Sequence, residues 1–171
     1  MKKSILLLST FTLVFSAFAN DHGDHEHREG QVHTHGHAQS QIILDDNDLD
    51  IHIFGAADSF IGFEHAPETA GEEAKIAEIK KHIDAGDIVT LNKEAQCVFK
   101  DGNFDLDIAE GEHANVEIEL EYECAMAEKL TEITYNWSAF HHLEELDAEF
   151  LGGDKIAKEE LTAEHNMLHL D

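Results

Sequence analysis

Between Val116 and Glu123 two kinds of residue alternate without a break. Val116, Ile118, Leu120 and Tyr122 take one parity, and Glu117, Glu119, Glu121 and Glu123 take the other. Successive side chains of an extended strand point to opposite faces, so this segment predicts a strand with one dry face and one wet face. Such a strand belongs in an antiparallel sheet that is covered on a single side.

The neighbouring segments agree with that reading. Residues 39–45 and 49–54 read as two strands joined by Asp46-Asn47-Asp48, whose side chains favour turns, and Leu49, Ile51 and Ile53 share one face of the second. Residues 55–67 read as a loop anchored by Phe60, Ile61 and Phe63. Thr69 is placed to cap a helix, Glu72 and Glu73 suit its first turn, and Ile76, Ile79 and Ile83 recur at helical spacing before Ala85-Gly86 ends it. Short strands are expected over 95–100, 104–108 and 132–137. A further hairpin is expected over 143–161 around Gly152-Gly153-Asp154, with a tail strand near Met167. The predicted fold class is α+β, a single domain of mostly antiparallel strands with one clear helix.

The first residues set the expected compartment. Met1-Lys2-Lys3 supplies a positive start, residues 5–16 are an apolar run too short to span a bilayer, and Ala17-Phe18-Ala19 places small residues at a cleavage position. Residues 1–19 therefore read as a cleavable signal peptide, and the mature chain as a soluble, most simply periplasmic, product with no stable membrane insertion. A lipoprotein would need a cysteine at the processing site, and the first cysteine is Cys97. The formal charge of the chain is −26; without Lys2 and Lys3, 9 basic residues face 37 acidic ones, giving −28. A surface this acidic repels nucleic acid and anionic lipid and attracts cations.

Residues 20–31 contain only Asn, Asp, His, Gly, Glu, Arg and Gln, with nothing apolar to bury, and read as a disordered arm ahead of a folded domain over 32–171. Cys97 and Cys124 each sit in a strand-like run. In an oxidising compartment a structural disulfide is the preferred reading, and a thiolate metal site is the alternative that lacks the usual C-x-x-C spacing.

Six of the histidines, His22, His25, His27, His33, His35 and His37, fall within sixteen positions. Neutral imidazole is a ligand for zinc, copper and nickel, so this density points to metal binding. In an extended strand, alternate residues of His33-Thr34-His35-Gly36-His37 point the same way with Cα atoms roughly 6.6 to 6.8 Å apart, which lets two imidazoles converge on one zinc. Gly36 lets the chain bend or another group approach. In the arm, His22, His25 and His27 alternate with Asp21, Asp24 and Glu26, a mixture suited to adaptable capture and release.

His65, next to Glu64, can complete the first set, or it can cap a helix or bond a backbone carbonyl. His165 and His169 form a second candidate pair, because residues four apart share a face. His141 and His142, being adjacent, diverge in regular structure and read as structural, and His52, His82 and His113 read as isolated satisfied groups. No H-E-x-x-H, H-x-x-E-H or G-x-S-x-G pattern occurs, so catalysis is not expected.

These residues together give the chain a resemblance to the ZrgA-like family of periplasmic zinc-uptake proteins. The matching features are His33-Thr34-His35-Gly36, Leu49-Asp50-Ile51, Gly62-Phe63-Glu64-His65-Ala66-Pro67, the two cysteines, and Trp137 with Phe140, over roughly residues 33 to 162. The resemblance implies a protein that binds zinc ions and works beside uptake machinery in the envelope. Members of the family often carry a histidine-rich insertion between the cysteines, whereas here residues 103–123 hold only His113. Either the arm takes that role or the protein holds fewer ions.

Two other readings compete with a zinc-collecting accessory protein: a Cu(II) or Ni(II) scavenger built on the mature amino terminus, and a pH-responsive interaction module. In the scavenger, cleavage before Asn20 makes His22 the third residue, so the amine, two backbone amides and the imidazole form a square-planar site. The intact mass of the exported chain should then begin at Asn20, and one equivalent of Cu(II) should give a visible absorption band. A different first residue would remove that site.

Overall fold

The computed structural model describes residues 34–108 and 113–170. The expected signal peptide, the arm, and His22, His25, His27 and His33 lie outside the described residues. In chain order the elements are β1 (His37–Asp45), β2 (Asp48–Ala56), α1 (Ala57–Ile61), α2 (Ala70–Ala85), β3 (Val89–Leu91), β4 (Cys97–Ile108), β5 (Ala114–Cys124), β6 (Glu132–Tyr135), β7 (Glu145–Gly152), β8 (Lys155–Leu161) and β9 (Met167–His169). Six strands form one sheet in the order β4-β5-β2-β1-β7-β8, and β3-β6-β9 form a second. The α+β class, the prevalence of antiparallel pairing and the single substantial helix agree with the sequence reading.

The alternating segment is β5, and its burial follows its sequence: Val116, Ile118, Leu120, Tyr122 and Cys124 are buried while Glu119, Glu121 and Glu123 are exposed. It pairs antiparallel with β2, setting Leu49 against Tyr122, Ile51 against Leu120 and Ile53 against Ile118. These apolar pairs lie side by side on the covered face, where each fully buried aliphatic side chain contributes roughly 1.5 to 3 kcal/mol. Ile79 and Ile83 of α2 are buried in the same core, as are Leu146, Ala148 and Phe150 of β7. The second sheet is joined to the first through the buried hydroxyls of Ser40 on β1 and Tyr135 on β6, 2.7 Å apart. Burial raises the Tyr135 pKa, so the phenol stays neutral and can share that hydrogen bond.

Four features depart from the sequence reading. Residues 57–61 form a helical turn, where a loop was expected across 55–67, because five residues are too few to show a helical period. The two strands expected at 95–100 and 104–108 are one, β4, running through a bulge between Phe99 and Asp101 that interrupts the alternation. The short strand β3 was not anticipated. Strand β1 pairs parallel with β7, a contact between segments about a hundred residues apart that no local pattern encodes.

Helix α2 starts as its sequence indicates. The Thr69 side chain accepts from the Glu72 amide at 3.2 Å, and the Glu72 carboxylate accepts from the Thr69 and Glu68 amides at 3.0 and 2.8 Å. This capping box satisfies amides that the helix cannot pair. The backbone bond from Glu68, with the Thr69 bonds, holds the Glu72 carboxyl below its usual pKa. Cys97 and Cys124 stand directly opposite on β4 and β5 and form a disulfide across a sequence separation of 27.

Two stability measurements follow. Thr69→Ala should lower unfolding free energy by about 1 kcal/mol in urea titrations, as removal of an N-cap does. Replacing both cysteines by serine should cost about 3 to 4 kcal/mol, the chain-entropy value for a loop of this size, with the zinc-free fold retained by circular dichroism.

Candidate metal site

Gly36 adopts φ +79°, a conformation open to glycine and strained for other residues, and it turns the chain just before β1. The turn is clasped from α1. The Ser59 hydroxyl accepts from the Gly36 amide at 3.1 Å and donates to the His37 carbonyl at 3.2 Å, so one buried side chain holds both sides of the bend. Glu144 and Glu145 donate their amides to the Gly36 carbonyl at 2.7 and 2.9 Å. A Cβ at position 36 would meet the Glu144 side chain at 3.2 Å, which is a second reason for glycine here.

The segment leading into β7 is tied to the same helix. His141 and His142 donate their amides to the Phe60 and Ser59 carbonyls, both at 3.1 Å, which caps the last turn of α1. Phe140 packs edge-on against Phe60 with ring centres 5.6 Å apart, and Trp137 Nε1 donates to the Leu143 carbonyl at 2.8 Å. Gly62 ends α1 at φ +77°, and a Cβ there would lie 3.3 Å from the His142 ring. The chain then buries Phe63 and presents Glu64 on the near side of the helix. The β2–β5 register pairs Ala56 with Asn115, which brings His113, just before β5, alongside α1.

Four loops and one helical turn thus place three imidazoles around two carboxylates. His142 Nδ1 lies 3.2 and 3.3 Å from the two oxygens of Asp58, and His35 Nδ1 lies 3.8 Å from Asp58 Oδ2. His35 Nε2 is 3.1 Å from Glu64 Oε1, and His113 Nδ1 is 3.0 Å from Glu64 Oε2. The five groups form a row, His142, Asp58, His35, Glu64 and His113, in which carboxylate and imidazole alternate. The rings of His35 and His113 are each 59% exposed, whereas the Glu64 side chain is 12% exposed.

Glu64 Oε1 is buried and accepts no hydrogen bond among the described residues, although His35 Nε2 stands at contact distance. Proximity and hydrogen bonding differ here because the ring nitrogen is near the oxygen but misaligned with it. A buried acceptor left unmatched costs roughly 1 to 3 kcal/mol, and more when charged, so this oxygen is the one acceptor of the row with a hydrogen-bonding need unmet. Among the described residues no three His, Cys, Asp or Glu side chains already surround a single point. The row is a set of donor pairs carried by exposed rings.

The structure disperses the histidines that the sequence grouped. Residues 35 and 36 are in a turn and β1 starts at His37, so His35 and His37 are not successive same-face residues of one strand. His35 faces Asp58 and Glu64, while His37 Nδ1 lies 3.0 Å from Glu145 Oε1. His65 donates through Nδ1 to the Ala66 carbonyl at 2.8 Å and packs against Phe63, the carbonyl-bonded alternative of the sequence reading. His165 belongs to a tight turn with Thr162, whereas His169 is on β9, so no regular element carries both.

His113 and His142, read from sequence as isolated or structural, are the ones that join His35. The pairing of His142 with an acid 84 positions away leaves no local trace. Its neighbour His141 is held below the usual imidazole pKa by burial, assisted by Lys75. The wet face of the large sheet also carries a depression lined by Asp48, Asp50, Glu121 and Glu123 around Lys100, with no imidazole in its lining.

Among the described residues no helix is long and apolar enough to cross a membrane. No curated protein matches the sequence. The family model described as "ZrgA family zinc uptake protein" matches residues 32–170, that is 139 of the 171 residues. The name denotes metal uptake and not a catalysed reaction, and the chain belongs to this family of zinc uptake proteins.

Proposed function

We propose that this protein is a periplasmic zinc carrier that collects zinc ions, holds them briefly on its surface and hands them to uptake machinery of the envelope. The observation that carries the reading is the row of alternating imidazoles and carboxylates from His142 to His113, assembled beside a turn that Ser59 holds in place. Mixed nitrogen and oxygen donors suit zinc, and exposed rings allow a bound ion to leave as readily as it arrives. Membership of a zinc-uptake family supports the same cargo. The apolar leader at residues 5–16 and the small residues at 17–19 support export.

The arm has a separate task in this reading. His22, His25 and His27, interleaved with acids, raise the local concentration of zinc by weak multidentate capture, and the strongly negative surface adds a long-range attraction. His37 and His65 flank the folded site and remain candidates for relaying ions to it, as does His33 by its place in the sequence, and His165 with His169 is a further candidate pair. Transfer is then a move from many weak positions to a few ordered ones.

Protein purified untagged from its native envelope should contain zinc on metal analysis. In the mature chain, changing His22, His25 and His27 to alanine should lower zinc stoichiometry while a tight equivalent persists in chelator competition. Loss of all tight binding in that variant would move the site to the arm. Copper or nickel in the native material in place of zinc would overturn the proposal in favour of the scavenger.

A further inference from the structure

We infer that the folded domain binds one zinc ion through His35 Nε2, the Glu64 carboxylate and His113 Nδ1, with Asp58 as a positioning residue on the far nitrogen of His35. The inference rests on the zinc-binding reading above and assigns the site within it.

Both imidazoles reach the Glu64 carboxylate, one at each of its oxygens. Zinc bonds of about 2.0 to 2.1 Å place tetrahedral ligand atoms roughly 3.3 Å apart. His35 Nε2 and Glu64 Oε1 are already 3.1 Å apart, and His113 Nδ1 and Glu64 Oε2 are 3.0 Å apart. Glu64 is the fixed member, mostly buried, with one oxygen that no hydrogen bond satisfies. The two imidazoles are exposed and touch different oxygens of Glu64, so in this proposal the set closes on one ion by movement of the rings about the fixed carboxylate.

Asp58 has the place of a supporting carboxylate. Zinc-bound histidines characteristically donate their other ring nitrogen to a carboxylate, which fixes tautomer and orientation. His35 Nδ1 is 3.8 Å from Asp58 Oδ2, which puts this carboxylate at the ring nitrogen not facing Glu64. His142 holds Asp58 from the opposite side at 3.2 Å, and so braces the carboxylate without belonging to the zinc ligands. Three protein donors leave a fourth position for water or for a ligand atom of a receiving protein, which is how an ion passes from one carrier to another without being released.

The test uses the full mature chain titrated with zinc against a chromophoric chelator, with Co(II) absorption as a second readout. Glu64→Gln and His113→Ala should each weaken the tight equivalent at least 100-fold and abolish the four-coordinate Co(II) bands. Asp58→Asn should weaken it roughly 10- to 100-fold with those bands retained, and His142→Ala less than 10-fold. His113 is exposed and Glu64→Gln preserves side-chain shape; matching circular dichroism and unfolding midpoints would show that folding is intact. Tight zinc binding unchanged in both Glu64→Gln and His113→Ala, or lost in His37→Ala and kept in His113→Ala, overturns this site and leaves the carrier reading standing. Absence of any tight zinc equivalent in the unaltered protein overturns the carrier reading itself.

Discussion

The strict alternation along β5 permits one register against β2, because a slip of one residue would turn the side-chain set over and drive glutamates into the core. With Ile51 set against Leu120 and Ile53 against Ile118, the strands run on to the pair Ala56 and Asn115. What lies just beyond that pair is therefore determined by hydrophobic burial farther along the sheet: α1 on one strand and His113 on the other. The disulfide between Cys97 and Cys124 pins the opposite end of β5 to β4. The row of imidazoles and carboxylates gets its geometry from a core that supplies none of its donor atoms.

Around α1 the controlling forces change from apolar burial to satisfied polar groups. A five-residue helix has little stability of its own, and this one is held by the amides of His141 and His142 on its carbonyls and by Ser59 on the Gly36 turn. The same contacts that complete its hydrogen bonding carry His142, His35 and Glu145 to their positions. Stability and site assembly are here one set of hydrogen bonds. The polar side chains beyond them face solvent and meet one another at the surface.

Zinc uptake as the family role is consistent with a chain whose acidic excess attracts cations and whose imidazoles stand beside carboxylates. The acidic excess has two uses on different length scales. Over distances near a Debye length of about 8 Å it enriches cations generally. At contact distance only the acids that face an imidazole, Asp58, Glu64 and Glu145 around the Gly36 turn among them, provide the mixed donor chemistry that favours zinc.

Local periodicity was sufficient to reveal β5, the β1–β2 hairpin, the capped helix α2 and the β7–β8 hairpin, because each depends on residues a few positions apart. The pairing of Cys97 with Cys124 was legible for a different reason, as the chain has two cysteines and an expected oxidising compartment, and the structure sets them opposite each other on β4 and β5. The histidine density, the acidic surface and the G-F-E-H-A-P motif pointed to metal and to the family. Which imidazoles meet which acids was decided only by tertiary structure. The φ +79° at Gly36 breaks the strand that would have aligned His35 with His37, the parallel β1–β7 contact brings residues 141–145 to that turn, and the β2–β5 register delivers His113 to Glu64. Sequence spacing governs what one strand or helix presents, whereas a site built from four separate segments depends on how the core orders them.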